Sequence, residues 1–362
     1  MTGWEKLRLR VRAWWLRLTC WEFWPPWIFY IPVALNVVRL SFKHRGITLP
    51  LCTNPGKYKG CHIGESKGRS LELLYQHAPE YIAESWLIQG ESVEAKIAFA
   101  ERTIKECAVE FPFILKPDDG NRGSGVKVIR THSEAREYLS VIESPVVMQR
   151  YVAGPKEAGV FYIRHPNEGV GRIFAITEKI FPEVAGDGRS TLEELIWRDP
   201  RAFIIADTYC ERFRDDLQTV LKPGEKWRLV NAGNHAQGCI FYDGMRLASD
   251  ALLQRLDKIG RGYPDFYLGR YDVRYEKDED LMAGKNFKIL EVNGALSEAT
   301  SIYEPGNSLF SAYRTLFEQW EIVYEIGAEN RRYRHAKAPD FKTLWRKART
   351  YKRQRATHPA AD

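Results

Sequence analysis

The stretch of sequence that decides the fold is FPFILKPDDGNRGSGV, residues 111–126. Its apolar first half predicts a β-strand that ends at Lys116, and a lysine at the end of a buried strand offers a point charge to a phosphate. Its second half is a glycine-rich loop, whose backbone amides can approach phosphate oxygens without obstruction by side chains. The loop residues predicted to contact phosphate are Gly120, Arg122, Gly123, Ser124 and Gly125. A lysine that merely extends from the core into solvent is the alternative explanation of Lys116.

Two downstream stretches, LGRYDV at 268–273 and KILEVN at 288–293, predict strands that pair as an antiparallel hairpin. Side chains two positions apart project from the same face of a strand. The polar side chains brought together in this way are Arg270, Asp272, Glu291 and Asn293. Two carboxylates and an amide oxygen suit Mg²⁺ held jointly with phosphates, and an arginine can stabilise charge on a reacting group. A solvated hairpin with a surface ion pair is the alternative, although Glu291 lies among apolar residues and needs a partner there.

The composition is that of a folded globular protein with room for one large core or two to three subdomains. Of the 362 residues, 44% are hydrophobic and 28% are charged. The six cysteines form no CxxC pair, which favours reduced thiols and argues against a zinc site. Periodicity predicts helices at 67–78, 92–107, 133–140 and 191–197, and strands at 113–116, 145–150, 160–164 and 171–181. Strands interleave with helices, so the class is α+β or α/β.

The net charge of +7 is unevenly distributed along the chain. Residues 1–19 carry a net +4 and residues 331–355 a net +10, so the rest of the chain sums to −7. Basic ends of this kind predict contact with an anionic membrane surface, where each basic residue adds about 1 kcal/mol of attraction. Nucleic acid is the rival partner, but no aromatic stacking platform or known nucleic-acid motif accompanies the charge.

Residues 20–42, CWEFWPPWIFYIPVALNVVRLSF, are strongly apolar and aromatic. Three prolines interrupt the segment, and its cleanest apolar run is shorter than the roughly 20 residues of a spanning helix. Basic residues flank it on both sides, and six tryptophans lie within residues 1–27. We therefore expect a monotopic or re-entrant anchor on the cytoplasmic face of the membrane. A single span and a helix packed on the protein's own core are the two alternatives.

The stretches described so far, taken in order with two others, resemble the ATP-grasp proteins. FPFILKPDDGNRGSGV resembles their phosphate strand and loop, and VVMQRYVAGPKEAG (146–159) resembles the strand that holds adenine and ribose. ITEKIFPEVAGDGRSTLEELI (176–196) is similar to an element of cyanophycin synthetases, and FYLGRYDVR (266–274) with FKILEVNGALSEAT (287–300) resembles the metal-binding strands. The resemblance is to D-alanine–D-alanine ligases and, more loosely, to cyanophycin and glutathione synthetases. It implies an α+β ATP-grasp fold, in which two subdomains clasp ATP.

The resemblance also implies roles for individual residues. Nucleotide contacts are expected from Lys67, Lys116, the glycine-rich loop, Gln149, Arg150, Tyr151, Val152 and Glu157. The residues expected to bind two Mg²⁺ ions, or Mn²⁺ in their place, are Asp272, Glu291 and Asn293. Arg270 is expected to act on the reacting acyl group and Lys179 on the γ-phosphate. The implied activity is ATP-dependent amide-bond formation between a carboxylate and an amine through an acyl phosphate, with a small-molecule, peptide or lipid substrate. The alternative is a catalytically silent ATP-binding module that docks on a membrane or a partner.

The expected organisation has four parts: a basic, tryptophan-rich membrane-associating segment (1–46), a reduced region before the ATP-grasp domain (47–95), the ATP-grasp domain itself (96–330) and a basic tail (331–362). The N-terminal substrate lobe of the ligases is nearly absent, so their substrates do not carry over. His235 could bind substrate or serve a structural role. Ser297, Glu298 and Thr300 could contact substrate, with helix capping as the equal alternative.

Overall fold

The computed structural model describes residues 3–55, 66–90, 92–119, 124–230, 233, 235, 238–355 and 357–358. The predicted α+β class is confirmed, because helices surround antiparallel sheets. The helices are α1 (Gly3–Thr19), α2 (Pro26–Phe29), α3 (Ile31–Lys43), α4 (Lys67–His77), α5 (Val93–Glu106), α6 (His132–Val141), α7 (Leu192–Arg198), α8 (Ala206–Arg212), α9 (Asp250–Gly260), α10 (Asp278–Met282), α11 (Leu309–Tyr333) and α12 (Phe341–Arg355). The strands are β1 (Ser85–Ile88), β2 (Phe113–Pro117), β3 (Lys127–Ile129), β4 (Val146–Arg150), β5 (Lys156–Ile163), β6 (Arg172–Ile180), β7 (Glu183–Ala185), β8 (Lys226–Arg228), β9 (Ile240–Asp243), β10 (Leu268–Tyr275) and β11 (Phe287–Asn293).

The smaller of the two main sheets has the strand order β1-β4-β2-β3 and is antiparallel throughout. One face packs its apolar residues, including Phe113 and Met148, against α5 and α6. Because side chains alternate along a strand, Lys116 and Gln149 project from the opposite face. That face therefore presents the lysine predicted from the sequence to a cavity rather than to the core.

The larger sheet has the order β11-β10-β5-β6-β9 and is also antiparallel. One face carries apolar residues such as Val160 and Tyr271 into a core that it shares with α4 and α9. The predicted hairpin is confirmed, since β10 pairs with β11 and Asp272 lies directly opposite Glu291. The alternate positions of these strands place the acidic residues on the face away from that core.

The predicted boundaries agree with the observed ones to within a few residues, and helix caps explain the agreement. The helix predicted at 67–78 is α4, and the helix predicted at 92–107 is α5. Ser66 and Ser92 precede them, and each side chain accepts a hydrogen bond from a backbone amide in the first turn. Such a cap satisfies an amide that has no partner within the helix.

The N-terminal segment packs on the body of the protein instead of standing apart from it. One stripe of α1, centred on Ala13, joins a core with α7, α8 and the turn at 202–205. In α3, Val33 packs near Leu316 of α11, and Leu40 packs near Tyr324 of the same helix. These contacts correspond to the alternative of a helix packed on the protein's own core. Of the helices in the part of the chain described here, none has both the length and the apolarity that a membrane crossing requires.

The C-terminal region contains two helices. The 25-residue α11 packs along the larger sheet and the N-terminal segment. The basic tail expected from residue 331 onward contains a helix, α12. Its exposed residues include Lys342, Arg346 and Lys347, so it presents positive charge to solvent.

Two substitutions in α3 separate its inward face from its outward face. Leu40 is fully buried, whereas Phe42 is 80% exposed. We expect Leu40→Ala to lower the free energy of unfolding by about 2–5 kcal/mol, because it leaves a cavity against α11. Phe42→Ala should change it by no more than about 0.5 kcal/mol. Urea unfolding followed by circular dichroism measures both, and an equal effect of the two changes would contradict the docking of α3.

Candidate active site

A cavity of about 1080 Å³ lies between the inner faces of the two sheets and is large enough for a nucleotide. Lys116 joins the two walls, because its Nζ donates to the Leu290 carbonyl of β11 at 3.0 Å. The basic residues that line the cavity are Arg17, Lys67, Lys116, Arg150, Lys179, Arg228, Arg270 and Arg274. The acidic ones are Glu22, Asp119, Glu157, Asp272, Glu291 and Glu298. Basic residues exceed acidic ones, so the cavity suits a polyanion.

Lys116 is held in place at the centre of the cavity. Besides the Leu290 carbonyl, its Nζ donates to Oε1 of Gln149 at 3.0 Å. Burial lowers the pKa of Lys116 to about 8, and Glu291 opposes this shift while Lys67 adds to it. Additional negative charge close to Lys116 would therefore raise its pKa and favour the protonated form. Its burial differs from the alternative of a lysine that extends from the core into solvent.

Asp272 is placed among cations and an amide. Arg270 donates to it through Nε at 2.8 Å, Lys179 lies 3.3 Å from Oδ2, and Asn293 donates to Oδ2 at 3.2 Å. Burial by itself would raise the pKa of Asp272, but Arg270 and Lys179 outweigh burial and lower it. The carboxylate is therefore ionised at neutral pH, as a metal ligand must be.

Glu291 completes the acidic pair. Its Oε1 lies 2.8 Å from Nζ of Lys67, which is the first residue of α4. Burial favours the neutral acid, but Lys67 and Lys116 outweigh it and lower the pKa of Glu291. Strand β11 and helix α4 thus meet at the pair of Glu291 and Lys67, and Lys116 of the smaller sheet adds a positive charge nearby.

Glu157 and Lys179 form a second buried pair beside the first. Lys179 Nζ lies 2.8 Å from Glu157, and Arg274 Nη2 donates to the other oxygen of Glu157 at 2.7 Å. Burial disfavours the charged form of Lys179, but Asp272 and Glu157 together raise its pKa above the ordinary value. Position 159, on β5 beside this pair, accommodates glycine because the Cβ of any larger residue would lie only 2.7 Å from Cδ of Arg270.

The donor set matches the ligand preferences of magnesium. Among the residues that the structure describes, no group of three or more His, Cys, Asp or Glu side chains could hold a metal ion. Asp272, Glu291 and Asn293 instead offer two carboxylates and one amide oxygen. Mg²⁺ is commonly held by one or two carboxylates together with substrate phosphates and water. The residues present therefore fit an ion that is shared with a phosphate ligand.

Most of the residues predicted from the sequence line this cavity together. They are Lys67, Lys116, Gln149, Arg150, Tyr151, Val152, Glu157, Lys179, Arg270, Asp272, Glu291 and Asn293. The guanidinium of Arg150 is nevertheless engaged with Glu84, at 2.9 Å, and with the Cys107 and Ala108 carbonyls. Those contacts give the Arg150 side chain a structural role beside any contact with a ligand.

Only part of the glycine-rich loop lies among the described residues. Gly120, Arg122 and Gly123 lie outside them. Ser124 and Gly125 do not border the cavity. Gly125 has a φ of +73°, and a Cβ there would lie 2.7 Å from the Pro117 ring. The backbone conformation and the nearby Pro117 ring therefore explain why position 125 is a glycine, without any contact to a phosphate.

Several residues of the cavity were not identified from the sequence. Arg274 continues the alternation of Arg270 and Asp272 along β10, so the two-residue period would have revealed it. Glu22 and Tyr30 come from the segment interpreted as a membrane anchor, and no local pattern marks them as part of a site. His235 lines the cavity and lies 3.1 Å from Glu22, a contact that joins it to the N-terminal segment.

Comparisons with known proteins agree with the sequence interpretation. The chain is 35% identical over 92 residues to a cyanophycin synthetase from Geminocystis herdmanii and 32% identical over 90 residues to one from Trichormus variabilis. Each match covers 24% of this chain, and the chain spans 10% and 9% of the length of these relatives. No family model matches. The predicted resemblance to ATP-grasp ligases, and to the cyanophycin synthetases among them, is confirmed by these matches.

Solved structures match the chain at low sequence identity. The D-alanine–D-alanine ligase from Bacillus anthracis matches at 13% identity and a TM-score of 0.39, over 74% of this chain and 68% of that one. A D-cycloserine synthetase matches at 14% identity and a TM-score of 0.39, over 70% of both chains. At these identities and TM-scores the likeness carries no information about activity.

A substitution of the central lysine tests the cavity as a nucleotide site. We expect Lys116→Met to weaken ADP binding about 10- to 100-fold, because a hydrogen bond to a charged group contributes about 1.5–3 kcal/mol. The matched control is Lys288→Met on β11, whose Nζ donates to the Pro79 carbonyl outside the cavity. Isothermal titration calorimetry measures both affinities. Equal affinities in the two variants would count against Lys116 as a phosphate contact.

Proposed function

We propose that the chain is an ATP-dependent carboxylate–amine ligase. In the proposed reaction the γ-phosphoryl group of ATP passes to a substrate carboxylate. An amine then attacks the carbonyl carbon, the new C–N bond forms, the bond to the phosphate oxygen breaks, and phosphate and a proton are released. The observation that carries the proposal is the convergence of Lys116 and Lys67 with Asp272, Glu291 and Asn293 on one cavity.

The lysines provide the contacts that a triphosphate needs. Lys116 projects from the smaller sheet, Lys67 from the first turn of α4 and Lys179 from the larger sheet. Their charges come from three separate elements, so they can surround the phosphates instead of contacting them from one side. Glu157, which is buried beside Lys179, would accept hydrogen bonds from the ribose, as the resemblance implies.

The acidic hairpin would hold the ions. Asp272 and Glu291, with the amide oxygen of Asn293, would bind two Mg²⁺ ions between the protein and the phosphates. When bound, Mg²⁺ neutralises phosphate charge and polarises the phosphoryl oxygens. The cations that pair with the two carboxylates in this structure would then find partners in the phosphates.

Arg270 is positioned to act on the acyl group. Its Nη1 donates to the Glu298 carbonyl at 3.0 Å, while its Nε is bound to Asp272. The guanidinium is thus fixed from two sides. A fixed donor of this kind stabilises negative charge that develops during acyl transfer, without having to reorganise.

Replacement of one acid tests this account. We expect Asp272→Asn to lower Mg²⁺-dependent ADP release at least about 100-fold, while ADP still binds without Mg²⁺ through Lys116 and Lys67. Asp278→Asn is the matched control, because its partners Lys156 and Arg246 lie outside the cavity. A coupled ADP assay across pairs of acids and amines gives the rate.

Two outcomes of that assay oppose the proposal. Unchanged turnover in Asp272→Asn would contradict the role of the hairpin. Binding of ATP by the wild type without ADP release from any acid and amine pair would favour a catalytically silent module.

We further propose that the ligase works at the cytoplasmic face of an anionic membrane. The support is a pair of outward-facing apolar stripes with helical spacing. On α1 the stripe comprises Trp4, Leu7, Val11, Trp14, Trp15 and Leu18, each at least 49% exposed. On α3 it comprises Ile31, Leu35, Val38 and Phe42, each at least 50% exposed. Such stripes insert into the interfacial region of a bilayer, and tryptophan favours that depth.

The charges beside these stripes complement an anionic surface. Arg8 and Arg12 are exposed on α1, and Arg39 and Lys43 are exposed on α3. Tryptophan and arginine together give both the apolar and the electrostatic components of interfacial binding. The inward stripes remain packed on the protein, so the helices would lie in the plane of the interface.

Flotation with vesicles tests the docking. We expect the double change Leu35→Glu, Phe42→Glu to weaken binding to phosphatidylglycerol vesicles at least about tenfold, because burial of one such side chain contributes about 1.5–3 kcal/mol. The control is Val170→Glu, Val220→Glu, at positions that are 57% and 48% exposed elsewhere. If wild type and both variants float equally, the stripes do not bind the bilayer.

A further inference from the structure

The N-terminal segment forms one end of the cavity. Within residues 21–30, the side chains that line it are Trp21, Glu22, Phe23, Trp24, Pro25, Pro26, Phe29 and Tyr30. The aromatic segment therefore forms part of the cavity wall.

Specific contacts hold the segment in this position. Both carboxylate oxygens of Glu22 accept hydrogen bonds from Arg201 at 2.8 Å, and His235 lies 3.1 Å from one of them. Trp21 donates through Nε1 to the Asn307 carbonyl at 2.8 Å. Burial would raise the pKa of Glu22, but His235 and Arg201 outweigh it and lower the pKa. The segment is thus fixed by charge as well as by packing.

Glu298 faces this segment from the other wall. Its carboxylate accepts hydrogen bonds from the phenols of Tyr30 and Tyr303, the latter at 3.3 Å. The rings of Trp21 and Phe29 stack at 5.3 Å beside Tyr303. The carboxylate is therefore bound by two phenol hydroxyls, and the rings of Trp21 and Phe29 pack against the tyrosines that carry them.

The position of Glu298 relates this cluster to the reacting end of the cavity. Arg270 donates to the backbone carbonyl of the same residue at 3.0 Å, and its guanidinium also binds Asp272. A group held by the Glu298 side chain would consequently lie in the same cavity as Arg270 and close to it.

We propose that Glu298, Tyr30, Tyr303 and Trp21 form the acceptor subsite, and that it binds an organic cation with a primary amino group on an apolar stem. A carboxylate attracts the amino group in its cationic form, and aromatic faces favour both the cation and the stem. The inference rests on the proposed function, since this amine would be the nucleophile once its ammonium group has passed a proton to the Glu298 carboxylate. It assigns to the N-terminal segment a part in substrate selection in addition to the proposed contact with a membrane.

Binding of small amines tests the subsite without requiring turnover. Isothermal titration calorimetry in the presence of ADP and Mg²⁺ compares 1,4-diaminobutane with 1,4-butanediol, which has the same stem and no charge. We expect the wild type to bind the diamine at least about tenfold more tightly than the diol. Glu298→Gln should remove this preference and leave ADP affinity unchanged, because the Arg270 contact is to the backbone. Tyr30→Phe should preserve packing and reduce the preference by a smaller factor.

The control is Glu304→Gln, six residues further along the same loop and outside the cavity wall, which should behave as the wild type. Equal affinity for diamine and diol in the wild type, or an unchanged preference in Glu298→Gln, would overturn the subsite. The two proposals fail separately. Diamine binding that depends on Glu298 but yields no ADP would oppose the ligase, whereas ADP release with amines that is indifferent to Glu298→Gln would oppose the subsite alone.

Discussion

The pairing of cations with carboxylates across the cavity is the constraint on which the rest of the structure depends. A buried carboxylate that lacks a partner is strongly destabilising, and Asp272 and Glu291 both lie on a strand face between two sheets. Arg270, Lys179 and Lys67 offset that cost, and each comes from a different element. Strands β6, β10 and β11 and helix α4 must therefore keep their relative positions for these charges to stay balanced.

The N-terminal segment satisfies a second constraint, because each of its helices has two faces with different tasks. The inward faces of α1 and α3 pack on the turn at 202–205 and on α11. Between those helices, Glu22 and Tyr30 close one end of the cavity. The outward faces keep their tryptophans and aliphatic residues in solvent. The residues that would bind a bilayer are therefore close in sequence to Glu22 and Tyr30, which line the cavity.

The sequence was informative where function depends on local spacing. Asp272 and Glu291 could be paired in advance because a two-residue period fixes a strand face and a short polar connection implies a hairpin. The interaction of Glu22 with Arg201 could not, because it joins residues 179 positions apart and no periodicity encodes it. The apolar segment at 20–42 was ambiguous for a related reason. Its composition suits a bilayer and a protein core equally, and the choice depends on partners in α11.

The most direct test of the account is a crystal structure with Mg²⁺ and a non-hydrolysable ATP analogue. We expect Lys116 and Lys67 to contact the phosphates, Asp272, Glu291 and Asn293 to coordinate the ions, and the contact between Lys67 and Glu291 to be lost. A nucleotide bound elsewhere, or acidic side chains that turn away from the phosphates, would contradict it.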